Sequence, residues 1–243
     1  MSLSSVSTVS VIIPTYNRKH LIQPALESVL GQTYPQVELI VVDDCSTDGT
    51  ADWIKQLYPT VRLLRLDKNH GAAGARNRGI SIAQGDYIAF LDSDDHWDTT
   101  FLERSISSLS QDPSSSFVFC DHREISQDTG REKRVCYKEG SQYRDLIHRS
   151  LADVFIFTMS VVVVRASALK EAGPLNEALD ICHDRELYIR LLEAGRMIHI
   201  PKVLVTRVMH SSNISSDYKN WAKYVFTTLD IFFSTPLGKR YKD

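Results

Sequence analysis

The chain has 243 residues, 43% hydrophobic and 24% charged, with a formal net charge of −2. That length supports a sizeable core, and the charge balance offers no basic excess for a nucleic-acid partner. No run reaches the roughly 18–20 apolar residues of a membrane span, the N-terminus lacks a signal-peptide pattern, and the four cysteines form no CxxC pair; a cytoplasmic location with reduced thiols is the expectation.

Val9 to Ile13 predicts a strand ending at Pro14. Arg18 to Leu30 predicts a helix, with Leu21, Ile22, Ala25, Leu26, Val29 and Leu30 at helical spacing and Gly31 as its stop. Val37 to Val42 is a second strand, Asp48 to Leu57 a second helix, Val61 to Leu66 a third strand and Gly71 to Ala83 a third helix. Asp86 to Leu91 is the fourth strand. Further on, Phe117 to Cys120 and Ser160 to Val164 read as strands, and Glu124 to Gly140 as a loop or hairpin. Asp184 to Glu193 reads as a helix, and Met197 to Ile200 and Val203 to Val208 as two closing strands. The tail from Tyr218 to Phe233 is aromatic-rich and amphipathic.

Strands alternating with helices at this spacing predict an α/β fold, a mainly parallel sheet with helices on both faces. Ligands of such sheets gather beyond the carboxyl ends of the strands. Three of those ends carry polar clusters: Thr15-Tyr16-Asn17, Asp43-Asp44 and Asp92-Ser93-Asp94-Asp95. Right-handed crossovers put all three on one edge. Carboxylates this close repel one another unless a cation or hydrogen-bond donors offset them. A hard divalent cation, Mn²⁺ or Mg²⁺, takes one or two carboxylates plus substrate phosphates. The alternative is a solvated turn that caps a helix starting near Asp98.

The motifs are linked in order: Val11-Ile-Ile-Pro-Thr-Tyr-Asn17, Val41-Val-Asp-Asp-Cys-Ser-Thr-Asp-Gly49, Asn69-x-Gly71, Ala75-Arg-Asn-x-Gly79 and Gly85 to Asp95. This series resembles glycosyltransferase family two, inverting enzymes of the GT-A fold. The resemblance implies one GT-A domain over 1–243, with a nucleotide-sugar-binding half (about 1–97), an acceptor-binding half (about 98–216) and a helical tail (217–243). It implies that Pro14, Thr15 and Asn17 lie beside the base and ribose, that Asp44 accepts from the base, and that Asp43 supports that loop. Arg76 would lie near the diphosphate or order the acidic turn. Asp92 and Asp94 match the DxD motif, with Asp92 and Ser93 toward the donor and Asp94 on the metal. Cys45 stands where the family usually has Gly.

An inverting transfer needs a carboxylate to take the acceptor's proton. His183-Asp184-Arg185-Glu186 resembles the family's ED motif, with His183 in place of the usual Glu, so Asp184 is the expected base and Glu186 the second choice. Asp184 as a plain helix cap is the structural alternative. His210, in Arg207-Val-Met-His-Ser-Ser-Asn213, resembles the late histidine that completes the metal site. The implied reaction moves a sugar from a nucleoside diphosphate, UDP first, to a glycan or lipid-linked acceptor in cell-surface polysaccharide synthesis. Two other functions compete with it: a sugar-phosphate nucleotidyltransferase, and an inactive nucleotide-sugar-binding protein. The tail either packs on the domain or makes peripheral membrane contact.

Overall fold

The computed structural model describes residues 7–137, 156, 158–179, 181–211, 213 and 218–239. Nine described strands form one mixed sheet. They are β1 (Val9–Thr15), β2 (Val37–Asp43), β3 (Arg62–Arg65), β4 (Tyr87–Phe90), β5 (His96–Trp97), β6 (Ser115–Ser126), β7 (Glu132–Val135), β8 (Val162–Arg165) and β9 (Arg196–Met209). The order is β3-β2-β1-β4-β8-β6-β9-β5, with β7 paired to β6. β3, β2, β1 and β4 run parallel. β8 runs antiparallel to both β4 and β6, whereas β6 and β9 are parallel.

The first half follows its pattern. Ile12, Ile13, Ile40, Val41 and Val42 are fully buried, as strands covered on both faces must be. The first helix, α1 (Gln23–Leu30), is shorter than the expected Arg18–Leu30. Pro24 sits in its first turn, the helical position that tolerates a missing N–H and avoids a clash with a preceding carbonyl. α2 (Thr50–Leu57) and α3 (Gly71–Ile82) follow as expected. α3 packs on the sheet through Gly79, where a Cβ would stand 2.5 Å from Ile12 Cγ2.

The second half departs further. The helices α4 (Phe101–Gln111) and α5 (Ala166–Ala172) flank an unexpectedly long β6. α6 (His183–Ala194) matches the expected helix, with Gly195 at its C-cap. The two expected closing strands are one strand, β9, because Pro201 and Lys202 are accommodated as a bulge between Ile200, opposite Cys120, and Val203, opposite Asp121. The hairpin expected over 124–140 is β6–β7 as far as residue 137, and the remainder lies outside the described residues. The tail is a helix, α7 (Tyr218–Ser234), with Thr228 and Phe232 buried. No described helix is long and apolar enough to cross a membrane.

The strand order opens a crevice. β1 pairs with β2 through Thr15, but with β4 only through Ile12. Ile12 O still accepts from Leu91 N at 3.1 Å. Pro14 lies two residues on and faces the same side, where the ladder has ended and its missing N–H costs nothing. Beyond that point β1 and β4 diverge. The strand order reverses there, with β2 and β3 on one side of β1 and β4 on the other, which is where ligands of such sheets bind.

Candidate active site

A cavity of about 470 Å³ fills the crevice, within the usual range of roughly 300–1,000 Å³ for small-molecule sites. Pro14 and Thr15 from the end of β1, Asp44 from the end of β2, Arg76 from α3, and Asp92, Ser93 and Asp94 after β4 all line it. Asp184, at the start of α6, lines it from the other half of the sheet. Eight of the residues singled out in sequence therefore share one space.

Asn17, Asp43 and His210 are not among the lining residues. Asn17 has a left-handed backbone (φ 53°), and its Oδ1 accepts from Thr47 N at 2.8 Å. Its own N–H donates to Ser46 Oγ at 2.8 Å. Asp43 is fully buried and accepts from Ser46 N at 2.9 Å. These two residues tie the β1 and β2 loops together, and of the two adjacent carboxylates it is Asp44 that lines the cavity. Asp44 Oδ1 accepts from His70 N at 2.8 Å, which fixes the carboxylate's orientation. Burial, with the Asp43 charge adding, raises the Asp44 carboxyl above the ordinary aspartate value. Cys45 follows with φ 67°, a region that suits Gly and strains other residues.

The acidic turn is divided among three tasks. Asp92 forms an ion pair with Arg76 and accepts from Thr158 Oγ1 at 3.3 Å. The Arg76 guanidinium, only 5% exposed, also reaches His183 Nε2 at 2.9 Å. His183 therefore bridges α6 to the acidic turn through Arg76. Its imidazole is held below the ordinary histidine value by burial and by the Arg76 charge, so it is neutral and accepts through Nε2.

Asp94 faces the cavity, and its Oδ2 lies 3.0 Å from His210 Nε2. Burial, then the Asp92 charge, raises its carboxyl above the ordinary value. Asp95 is a brace. It is 2% exposed and accepts from Ser160 Oγ at 2.7 Å and Val208 N at 3.1 Å. It thus pins the end of β9 to the acidic turn, and burial beside Asp92 and Asp94 raises its carboxyl strongly. In sequence Asp95 is only the last carboxylate of the cluster, because its partners come from residues 65 and 113 positions away.

The donor set suits a divalent cation in part. One carboxylate oxygen and one imidazole nitrogen already meet at Asp94 and His210. Among the described residues no group of three His, Cys, Asp or Glu side chains forms a closed cage. A cation held there would take its remaining ligands from substrate phosphates and water.

Glu186, the second choice, is engaged by Arg190. Its carboxylate takes two hydrogen bonds from Arg190, at 2.8 and 2.6 Å. Arg190 in turn holds the backbone carbonyls of Ala172, Gly173 and Pro174. Glu186 therefore fastens α6 to the end of α5, whereas Asp184 faces the cavity.

The sequence model described as Glycosyl transferase family 2 matches residues 10–173. The chain is 40% identical over 236 residues to the UDP-Glc:alpha-D-GlcNAc-diphosphoundecaprenol beta-1,3-glucosyltransferase WfgD of Escherichia coli, covering 96% of this chain and 89% of that protein. It is 40% identical over 147 residues to the putative teichuronic acid biosynthesis glycosyltransferase TuaG of Bacillus subtilis, covering 59% of this chain and spanning 58% of that relative. Against the hyaluronan synthase of Pasteurella multocida it is 30% identical over 217 residues, 88% of this chain but 22% of that one. Staphylococcus aureus TarS 1-349 in complex with UDP-GlcNAc superposes with a TM-score of 0.77 at 20% identity, over 95% of this chain and 68% of that one. The mannosyltransferase PcManGT of Pyrobaculum calidifontis, in complex with GDP-Man and Mn²⁺, gives 0.71 at 21% identity, over 96% and 66%. The nucleotidyltransferase alternative finds no support among these relatives. With its GT-A sheet and its motif residues drawn onto one crevice, the chain belongs to glycosyl transferase family 2.

Proposed function

We propose that the chain transfers a hexose-type sugar from a UDP-linked donor, with inversion, to a hydroxyl of a lipid-linked glycan in cell-surface polysaccharide synthesis. The observation that carries this reading is the meeting of Asp44, Arg76, Asp92, Asp94 and Asp184 on one cavity. The donor and acceptor classes are supported by WfgD, whose name gives UDP-Glc and a GlcNAc diphosphoundecaprenol.

Each residue has a task. Asp44, with one oxygen held by His70 N, offers the other to a uracil N–H. Pro14 and Thr15 flank the base and ribose, and Asn17 and Asp43 hold that wall. Arg76 keeps Asp92 in place toward the ribose or sugar, beside Ser93. Asp94 and His210 would hold Mn²⁺ or Mg²⁺, which when bound acts as a Lewis acid toward the leaving diphosphate. Asp184 takes the proton of the acceptor hydroxyl as that oxygen attacks the anomeric carbon. The bond from that carbon to the diphosphate oxygen breaks, and the nucleoside diphosphate departs from the opposite face. An acceptor of this class places the work at the cytoplasmic face of a membrane, with α7 as the peripheral contact; liposome sedimentation tests that contact.

A thermal-shift series with UDP-glucose, UDP-GlcNAc, dTDP-glucose and GDP-mannose, each with and without Mn²⁺, tests the donor. A ligand at a hundred times its dissociation constant stabilises the folded state by about 2.7 kcal/mol. A UDP-sugar with Mn²⁺ is expected to give the largest rise. A larger rise with GDP-mannose would overturn the UDP assignment.

A further inference from the structure

We infer that Asn213 is a positioning residue that assembles the cation site, by fixing His210 against Asp94. This inference rests on the cation reading given above. His210 leaves β9 immediately after its last paired residue, Met209. An imidazole at a strand end sweeps a wide arc unless the chain beyond it is held.

Here the chain is held at several points. Asn213 N donates to His210 O at 3.1 Å, closing a tight turn. In the reverse direction His210 N donates to Asn213 Oδ1 at 2.5 Å. The side-chain amide of Asn213 then faces two acceptor oxygens and the histidine ring. Nδ2 lies 3.2 Å from Val208 O, 3.3 Å from Asp94 Oδ2 and 3.4 Å from His210 Nε2. One amide therefore contacts the strand before the turn, the histidine backbone, the histidine ring and the acidic turn.

Only Asn or Gln offers this combination, an acceptor oxygen with two donor hydrogens on the same planar group. A hydroxyl offers one donor. A carboxylate offers none, and would set a further negative charge beside Asp94. The arrangement continues below the turn. Asp95 Oδ1 accepts from Val208 N at 3.1 Å, so the chain is fastened to the acidic turn both before and after His210. The side chain of His210 is 5% exposed, and that of Asp94 is 14%. In this enclosed setting a lost hydrogen bond is not replaced freely by water.

Groups hydrogen-bonded to a metal ligand set its direction, and removing one typically costs roughly ten- to a hundredfold in metal affinity. Asn213 lines the cavity while bonding Asp94 and His210, so its loss loosens the cation site without touching Asp44 or the base-side wall. The loss is expected in cation affinity and not in metal-free nucleotide binding.

The test is a Mn²⁺ titration of the full chain with saturating UDP, with free Mn²⁺ read by electron paramagnetic resonance. UDP affinity without metal is measured in parallel by calorimetry. Asn213→Ala is expected to weaken Mn²⁺ about tenfold and leave metal-free UDP binding unchanged. Asn213→Ser retains an acceptor for the turn but loses the second donor; it covers the case in which the alanine variant folds poorly, and is expected to weaken Mn²⁺ as well. Wild-type Mn²⁺ affinity in both variants would overturn the assignment of Asn213 and leave the cation reading intact. No Mn²⁺ binding by the wild-type chain would overturn the cation reading, and the assignment with it.

Discussion

The carboxyls of Asp44, Asp94 and Asp95 are all held above the ordinary aspartate range, chiefly by burial, with neighbouring carboxylates adding. An aspartate whose pKa is raised on folding contributes stability at acid pH that is lost as pH rises through the folded value. At neutral pH these groups therefore weigh against the fold, and a positively charged ligand offsets them. Asp94→Asn removes one such charge while keeping shape. In the metal-free chain its melting temperature is expected to equal or exceed that of the wild type, while the further rise on adding Mn²⁺ with UDP disappears. Scanning calorimetry measures both, and a variant that melts lower and keeps the Mn²⁺ rise would contradict the ligand role. Legibility at this scale depended on reach. Asp44, Asp92, Asp94 and Asp184 could be found from motif and strand position alone. Asn17 and Glu186 are polar residues in the same motifs whose side chains bond to nearby backbone or to Arg190. Nothing in their local spacing separates a loop brace from a ligand contact.

The elements that carry the site differ in how plainly their sequences announce them. β1, β2 and β4 are short apolar runs buried on both faces, and their parallel order follows from the helices between them. β6 is harder to read, because Cys120-Asp-His-Arg-Glu124 continues the strand with polar residues. Those residues are buried or half-buried by β7 and β9, which arrive from later in the chain. β9 hid for a different reason, since Pro201 signals a break and the structure makes a bulge. Within β6, His122 is fully buried, and its imidazole is pushed down to about 4, mainly by burial. Glu124 and Asp121 oppose this shift, and Arg207 and Lys133 add to it. A histidine depressed on folding contributes stability above its unfolded value near 6.5, and that stability is lost as pH falls toward 4. The loss reaches on the order of 3 kcal/mol once the folded imidazole is protonated as well. Urea unfolding of the wild type and His122→Gln at pH 7, 6, 5 and 4.5 is expected to show the wild type losing more stability on acidification. Parallel curves for the two chains would remove His122 from the explanation.

At the level of the whole molecule, one sheet draws the site from both halves of the chain. The β1–β4 crevice supplies one wall of the cavity, and α6 brings Asp184 across to it from the far half of the sheet. His183 couples the two parts by meeting Arg76, which itself holds Asp92. Among the described residues, Asp184 is the one carboxylate that faces the cavity from beyond β5, and a single direct displacement assisted by one base would reverse the anomeric centre. The most direct test is proton NMR of the product formed from UDP-α-glucose, a GlcNAc diphospho-lipid analogue and Mn²⁺, run with the wild type and with Asp184→Asn. A β-linked product from the wild type is expected, together with loss of transfer but retained donor binding in Asp184→Asn. An α-linked product, or full turnover by Asp184→Asn, would contradict the assignment of Asp184 as the base.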